Sequence, residues 1–197
     1  MEHVRFCGML LGTRPGAVMT PRPGSEQLVR TALDLIGGRP AVVADVGTGS
    51  SALAVAIAAG APGARVWATD PSPEAVALAR ENVGRHGLAD RVTVCRGNLL
   101  EPVPGSLDLV VANLPYLPAW ERPRHLDLAG EPPAAVFAEH DGLGPYRGLL
   151  EASGERLAAG GAVVLQFRRG VLAAPRAELD GLRARLEDTA RLARLAA

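Results

Sequence analysis

The chain has 197 residues, is 48% hydrophobic and carries a formal net charge of zero. That is apolar material for one ordinary core, without the basic surplus of a nucleic-acid binder or any run near the ~18 apolar residues of a membrane span. Cys7 and Cys95 lack CxxC spacing and suit reduced thiols of a cytoplasmic protein, and the amino terminus lacks the pattern of a signal peptide.

Residues 1–24 read as short extended or hairpin segments around turns. Arg14-Pro15-Gly16 is a turn signal, and Pro21-Arg22-Pro23-Gly24 is extended because a residue before proline is pushed out of the helical region. Ser25 caps a helix over Glu26–Ile36, with Leu28, Val29, Leu33 and Ile36 at helical spacing and Gly37-Gly38 at its end. Ala41–Val46 is an apolar strand broken by Asp45; a Gly-spaced turn, Gly47-Thr48-Gly49-Ser50-Ser51, leads into a short helix of small residues. Ala64–Thr69 is a second strand ending at Asp70. Ser72 caps the next helix, with Pro73 in its first position; the helix runs to about His86, buries Val76, Ala79 and Val83, and stops at Gly87. Val92–Cys95 is a third strand, Gly97–Leu100 a turn, and Leu107–Ala112 a fourth strand, apolar enough to be covered on both faces. Residues 113–143 are expected to form a long Pro-rich irregular loop. A helix over Tyr146–Leu157 and a fifth strand over Ala162–Phe167 follow, then an amphipathic helix over Arg176–Leu195. Strands alternating with helices predict a doubly wound, mainly parallel α/β sheet of Rossmann-like type, in a single domain over 1–197.

Strand, Gly turn and helix open a nucleotide-type α/β unit, in which the glycines let a ligand approach the backbone and the first helical N–H groups are free to donate. Gly47-x-Gly49-x-x-Ala52 fits a dinucleotide fingerprint, but Asp45 would face a pyrophosphate with like charge. S-adenosylmethionine carries an ammonium and a sulfonium, which Asp45 would attract, so the turn favours a methyl donor; a turn that binds nothing is the bland alternative. Asp70, about twenty residues on, is placed to accept ribose hydroxyls, and Asn98 to reach the adenine, although a solvated turn Asn explains it almost as well. His125, Asp127, His140 and Asp141 lack ligand spacing, and no metal site is expected.

Asn113-Leu114-Pro115-Tyr116 directly follows the fourth strand, at the carboxyl end where open α/β sheets bind their reactants. An amide or aromatic amine nitrogen is a poor nucleophile because its lone pair is delocalised. A site helps by giving its N–H groups acceptors as positive charge develops. The Asn113 side-chain oxygen and the Leu114 carbonyl are two such acceptors; Pro115 holds Leu114 extended, aiming that carbonyl outward, and Tyr116 offers a flat face.

From Phe6 to about Gln166 the chain resembles the catalytic domain of the peptide chain release factor glutamine methyltransferases. VMTPRPGSE (residues 18–26) is similar to that family's hydrophobic-x-P-R-P-E-T-E segment, DVGTGSSA (45–52) to D-L-G-T-G-S-G-A, and DPSPEAVALARENV (70–83) to its second-strand and helix motif. GNLLEP (97–102) resembles G-D-L-L-E-P, VVANLPY (110–116) resembles V-S-N-P-P-Y, and EPPAAVFAEHDGLGPYRGLL (131–150) resembles E-P-x-x-A-L…D-G-L-x-x-Y-R-x-L-L. The resemblance implies a class I methyltransferase fold and transfer of a methyl from S-adenosylmethionine to the Gln amide of a release factor's Gly-Gly-Gln loop. Gly47, Thr48, Gly49, Ser50, Ser51, Asp70, Leu99 and Asn113 would then hold the donor, and Asn113, Leu114, Pro115 and Tyr116 would position the Gln. The single domain is expected to comprise an extended or hairpin segment over 1–24, a donor-binding core over 25–170 and a C-terminal helix over 171–197.

Departures from the pattern are Ser51 for its third glycine, Asn98 for its acid, Leu114 for its first proline and Gly24-Ser25 for Glu-Thr. No counterpart of the family's N-terminal helical domain is expected in these residues, and no closing β-hairpin is expected after the fifth strand, which would truncate the sheet edge. Asn-Leu-Pro-Tyr is also similar to the motif of ribosomal RNA adenine dimethyltransferases. Methylation of an adenine or small-molecule amine is therefore an alternative, although few aromatics and zero net charge give direct nucleic-acid binding little support. A donor-binding, catalytically impaired module that needs a partner is a third reading.

Overall fold

The structure, a computed structural model, describes residues 2–166 and 190–194. The chain opens with a hairpin, β1 (Glu2–Phe6) and β2 (Met9–Thr13), turned at Cys7-Gly8 with both φ angles positive, the geometry that matches strand twist. A 3-10 turn over Pro23–Ser25 leads into α1 (Glu26–Ile36), so the predicted extended stretch ends at Arg22. The order then runs β3 (Ala41–Val46), α2 (Ala52–Gly60), β4 (Ala64–Asp70), α3 (Pro73–Arg85), β5 (Val92–Arg96) and β6 (Leu107–Ala112). β7 (Leu117–Pro118), α4 (Pro133–Val136), β8 (Phe137–Ala138), α5 (Gly144–Arg156), β9 (Leu157–Leu165) and β10 (Ala190–Arg194) follow.

Six strands form one parallel sheet in the order β10-β9-β6-β3-β4-β5. Counted within the sheet this is 6-5-4-1-2-3, the doubly wound order whose direction reverses between its first and fourth strands. Helices cover both faces, because successive strand side chains alternate. From β6, Leu109 and Val111 enter the layer of α1 and α2, while Val110 and Ala112 enter the layer of α5. α2 is buried from Ala52 to Ala58; its alanines let it lie close to the sheet, and Ile57, fully buried, contributes roughly 1.5–3 kcal/mol on burial.

Caps explain the sharpest boundaries. Ser72 Oγ accepts from Ala75 N, with Pro73 in the first turn of α3, and Gly37 takes a left-handed φ of 58° at the end of α1. Three expectations are corrected. Residues 113–143 contain β7, β8, α4 and 3-10 turns, and β7 pairs in parallel with β8. The fifth strand of the sheet starts at Leu157, directly from α5. Within the expected C-terminal helix, Ala190–Arg194 is instead a strand beside β9, so the sheet edge carries a sixth strand where truncation was expected; the remainder of that helix, with Phe167, lies outside the described residues. No helix among the described residues is long and apolar enough to cross a membrane.

Candidate active site

The reversal point between β3 and β6 sets the site. After β3 the backbone turns through Gly47 (φ 68°) and Gly49 (φ 55°), and the N–H groups of Gly47 and Thr48 both donate to Thr69 O at the end of β4. A Cβ on Gly47 would lie 2.6 Å from Leu114 Cδ2, so the bare Cα is what lets the end of β6 come this close. Ser51 is fully buried at φ 65° and its hydroxyl has no partner among the described residues. A left-handed residue with a Cβ is strained, which is the physical cost of a serine where the resembling pattern has glycine.

Asp45 lies wholly buried behind this turn. Its Oδ2 accepts from Thr48 Oγ1 (2.6 Å) and Ala54 N (3.1 Å), while Oδ1 has no partner among the described residues. Burial pushes its carboxyl up to about 7, against the lowering effect of the Thr48 and Ala54 hydrogen bonds. Asp70 closes the other side: Oδ2 accepts from Gly49 N and Oδ1 from Ser72 N, both at 2.9 Å. Burial also raises the Asp70 carboxyl above its ordinary range. Each of its oxygens keeps a free lone pair.

A cleft runs from this turn to the end of β6. It is lined by Gly47, Thr48, Gly49 and Ser50, by Asn113, and by Phe6, Thr20, Arg22 and Ser25 from the amino-terminal segment. The structure thus brings the predicted turn residues and Asn113 together. Ser25 does not cap α1: its backbone is already helical (φ −79°, ψ −9°), and its Oγ accepts from Asn113 Nδ2 at 3.2 Å. Asn98 is exposed and donates to Glu101 Oε1 (3.3 Å) within its turn. Leu99, at φ 46°, is held by Thr69 Oγ1 donating to its carbonyl.

Leu114 departs most from expectation. Its side chain is buried, and its carbonyl, predicted to face outward, lies 2.8 Å from the hydroxyl of the buried Tyr146, which also receives Leu114 N–H (3.0 Å). Gln166 O lies 2.8 Å from the same hydroxyl. One phenol proton cannot serve both carbonyls at once, so each keeps accepting capacity. Burial raises the Tyr146 pKa well above its usual value, keeping it a neutral donor. Pro115 and Tyr116 are half-buried, and Gly142 (φ 83°) packs so closely that a Cβ there would lie 2.4 Å from Tyr116 O. Sequence reasoning missed Tyr146, Ser25 as a partner of Asn113, and Gly142. The signal for Tyr146 and Gly142 was present in DGLGPYR, a motif quoted for its resemblance but given no role.

Asn82 supports the turn from behind. Fully buried on α3, it accepts from Gly12 N (2.8 Å) and donates to Gly12 O (3.1 Å) and Ser50 O (2.9 Å), pinning hairpin and Gly turn to one side chain. Of the loop residues set aside as metal ligands, Asp141 pairs with Arg147, whose hydrogen bond holds its carboxyl down at about 2, and His125 contacts Glu121.

A parallel sheet in 6-5-4-1-2-3 order, with a Gly turn after its first strand and Asn-Leu-Pro-Tyr after its fourth, defines a class I, Rossmann-like methyltransferase fold. A solved structure of ribosomal protein L11 methylase from Lactobacillus delbrueckii subsp. bulgaricus shares that fold, with a TM-score of 0.59 and 24% identity over 87% of this chain and 70% of that one. Residues 21–122 match the family described as methyltransferase small domain, and the chain belongs to that family. It is 40% identical over 168 residues to a release factor glutamine methyltransferase of Moorella thermoacetica, covering 84% of this chain and 59% of that protein. It is 39% identical over 158 residues to one of Gloeobacter violaceus, covering 78% and 55%. The chain therefore spans less than two thirds of the length of these relatives.

Proposed function

We propose that the chain is an S-adenosylmethionine-dependent N-methyltransferase of the cytoplasm, acting on a protein glutamine amide, that of a release factor's Gly-Gly-Gln loop. The observation that carries this reading is the shared cleft of Asn113 and the Gly turn, with the Asn113 amide nitrogen engaged by Ser25. The likeness to two proteins named release factor glutamine methyltransferases supports the substrate.

The residues present fit the donor. Gly47 and Gly49 take the backbone forms that allow close approach, the cleft reaches both, and Asp45 Oδ1 is a buried acceptor behind them without a partner among the described residues. Gly47–Ser51, Asp45, Asp70 and Leu99 would hold it, with Asn98 at the turn beside Leu99. When bound, S-adenosylmethionine supplies an electrophilic methyl on a sulfonium.

The chain's own residues prepare the acceptor nitrogen. With Nδ2 donating to Ser25, the Asn113 carboxamide leaves Oδ1 to accept an N–H of the substrate amide. The Leu114 carbonyl, held by Tyr146, keeps a lone pair for the second N–H, and Tyr116 packs the amide plane. Two acceptors orient the nitrogen and stabilise positive charge on it as the bond forms. As the nitrogen gains the methyl it gives up one N–H proton to water, the C–S bonding pair staying on sulfur as a neutral thioether, so the product is a neutral N-methyl amide.

The test is calorimetric titration with S-adenosylmethionine, followed by incubation of labelled donor with a release factor or, separately, ribosomal RNA. Label in the release factor that disappears when its Gln is replaced by Glu is expected; label only in RNA would overturn the substrate, and no donor binding would overturn the whole reading. Asn113→Ala is expected to keep donor affinity within about tenfold and to lower turnover by ~100-fold, the scale of losing one oriented polar group.

A further inference from the structure

Glu131 belongs to the loop after the fourth strand of the sheet, yet its bonds go to the amino-terminal wall of the cleft. Oε2 accepts from the main-chain N–H of Thr20 (3.0 Å), and Oε1 lies 3.5 Å from Arg22 Nη2. The two partners are 111 and 109 residues away in sequence, and both line the cleft. The Glu131 side chain is only 12% exposed against 43% for Arg22, so the carboxylate is largely withdrawn from water while its cationic partner is not.

These contacts close a ring. Asn113-Leu114-Pro115-Tyr116 runs into β7, β7 pairs with β8, and β8 continues from α4, which starts two residues after Glu131. Glu131 then binds Thr20 and Arg22, and the same segment reaches Ser25, whose Oγ receives Asn113 Nδ2. Among the described residues, the Glu131 carboxylate alone joins the acceptor-side loop to the Thr20–Arg22 wall by a hydrogen bond to main chain, and charge makes that bond stronger than a neutral one.

We propose that Glu131 is a positioning residue, a clasp that holds the Thr20–Arg22 wall against the acceptor loop so that the wall of the cleft and Asn113 keep one geometry. Its role in turnover rests on the amide-methylation reading; its hold on the wall does not. Glu131→Gln keeps a carbonyl oxygen for Thr20 N–H and loses the charge toward Arg22, whereas Glu131→Ala removes both.

Two readouts on the whole chain test it. Hydrogen exchange of the Thr20 amide needs neither donor nor acceptor: Glu131→Ala is expected to accelerate it at least tenfold, and Glu131→Gln by less than threefold. Steady-state methylation is expected to show kcat/KM lowered about tenfold or more in Glu131→Ala and largely restored in Glu131→Gln, with melting temperatures within a few degrees of the parent. Unchanged Thr20 exchange in Glu131→Ala overturns the clasp. So do unchanged kinetics in a variant whose Thr20 exchange has risen, or losses in both variants that track melting temperature alone. If the parent chain methylates no amide substrate, the functional reading falls, and Thr20 exchange still decides whether Glu131 holds the wall.

Discussion

Ser51 holds a backbone form that suits glycine, at φ 65°, and buries a hydroxyl with no partner among the described residues. Both features act against the native state, so Ser51→Gly is expected to stabilise the chain by about 1 kcal/mol. For a chain of this size that raises the melting temperature by roughly 2–4 °C, readable by calorimetry. Asp45 gives a pH signature. Its folded carboxyl titrates at about 7, above the ordinary 3.8, so between those values the native state holds more protons than the unfolded one. The stability it contributes is complete below about pH 4 and is lost as pH rises toward 7; raised Asp70 acts in the same direction. A cationic ligand prefers the ionised form, so donor affinity should rise over that window as stability falls. Melting and titration across pH 5–8 check both, and Asp45→Asn should flatten both slopes; slopes unchanged in that variant would assign them elsewhere.

Between elements, the decisive joint is Tyr146 of α5 against the residues after β6 and β9. Tyr146→Phe leaves the buried Leu114 N–H without its acceptor, a loss of about 1–3 kcal/mol, and frees the Leu114 main chain. A lower melting temperature is expected together with a fall in turnover larger than the change in donor affinity. Equal turnover would remove Tyr146 from the site. This joint also marks where sequence reasoning stopped. The strand–turn–helix unit from Ala41 to Gly60, and α3 with its Ser72 cap, were legible because their signals are local: apolar runs, glycines, a cap and a proline at fixed offsets. Ser25 misled because a cap-like serine found a partner 88 residues away in Asn113. β7 and β8, two residues each, exist only through pairing with one another across the loop. β10 lay inside leucine spacing that reads as a helix, and the neighbouring β9 imposed strand geometry that no local period announces.

For the molecule as a whole, a doubly wound parallel sheet was legible from the alternation of elements, and with it that the Gly turn and Asn113 both lie at carboxyl ends of strands; the order of the strands came from the structure. The amino-terminal segment was read as extended or hairpin chain, but not its docking, since nothing in its ten strand residues points to α3. Yet Asn82 answers both main-chain groups of Gly12 and the carbonyl of Ser50. The ribbon is consequently a buttress for the loop, not an ornament on the surface. A chain trimmed to begin after Thr13 would keep every glycine of the turn and leave the Asn82 carboxamide oxygen bare toward the lost ribbon. It should melt earlier, and the heat shift that saturating donor gives the intact chain, worth about 2.7 kcal/mol at a hundredfold excess over Kd, should shrink with it.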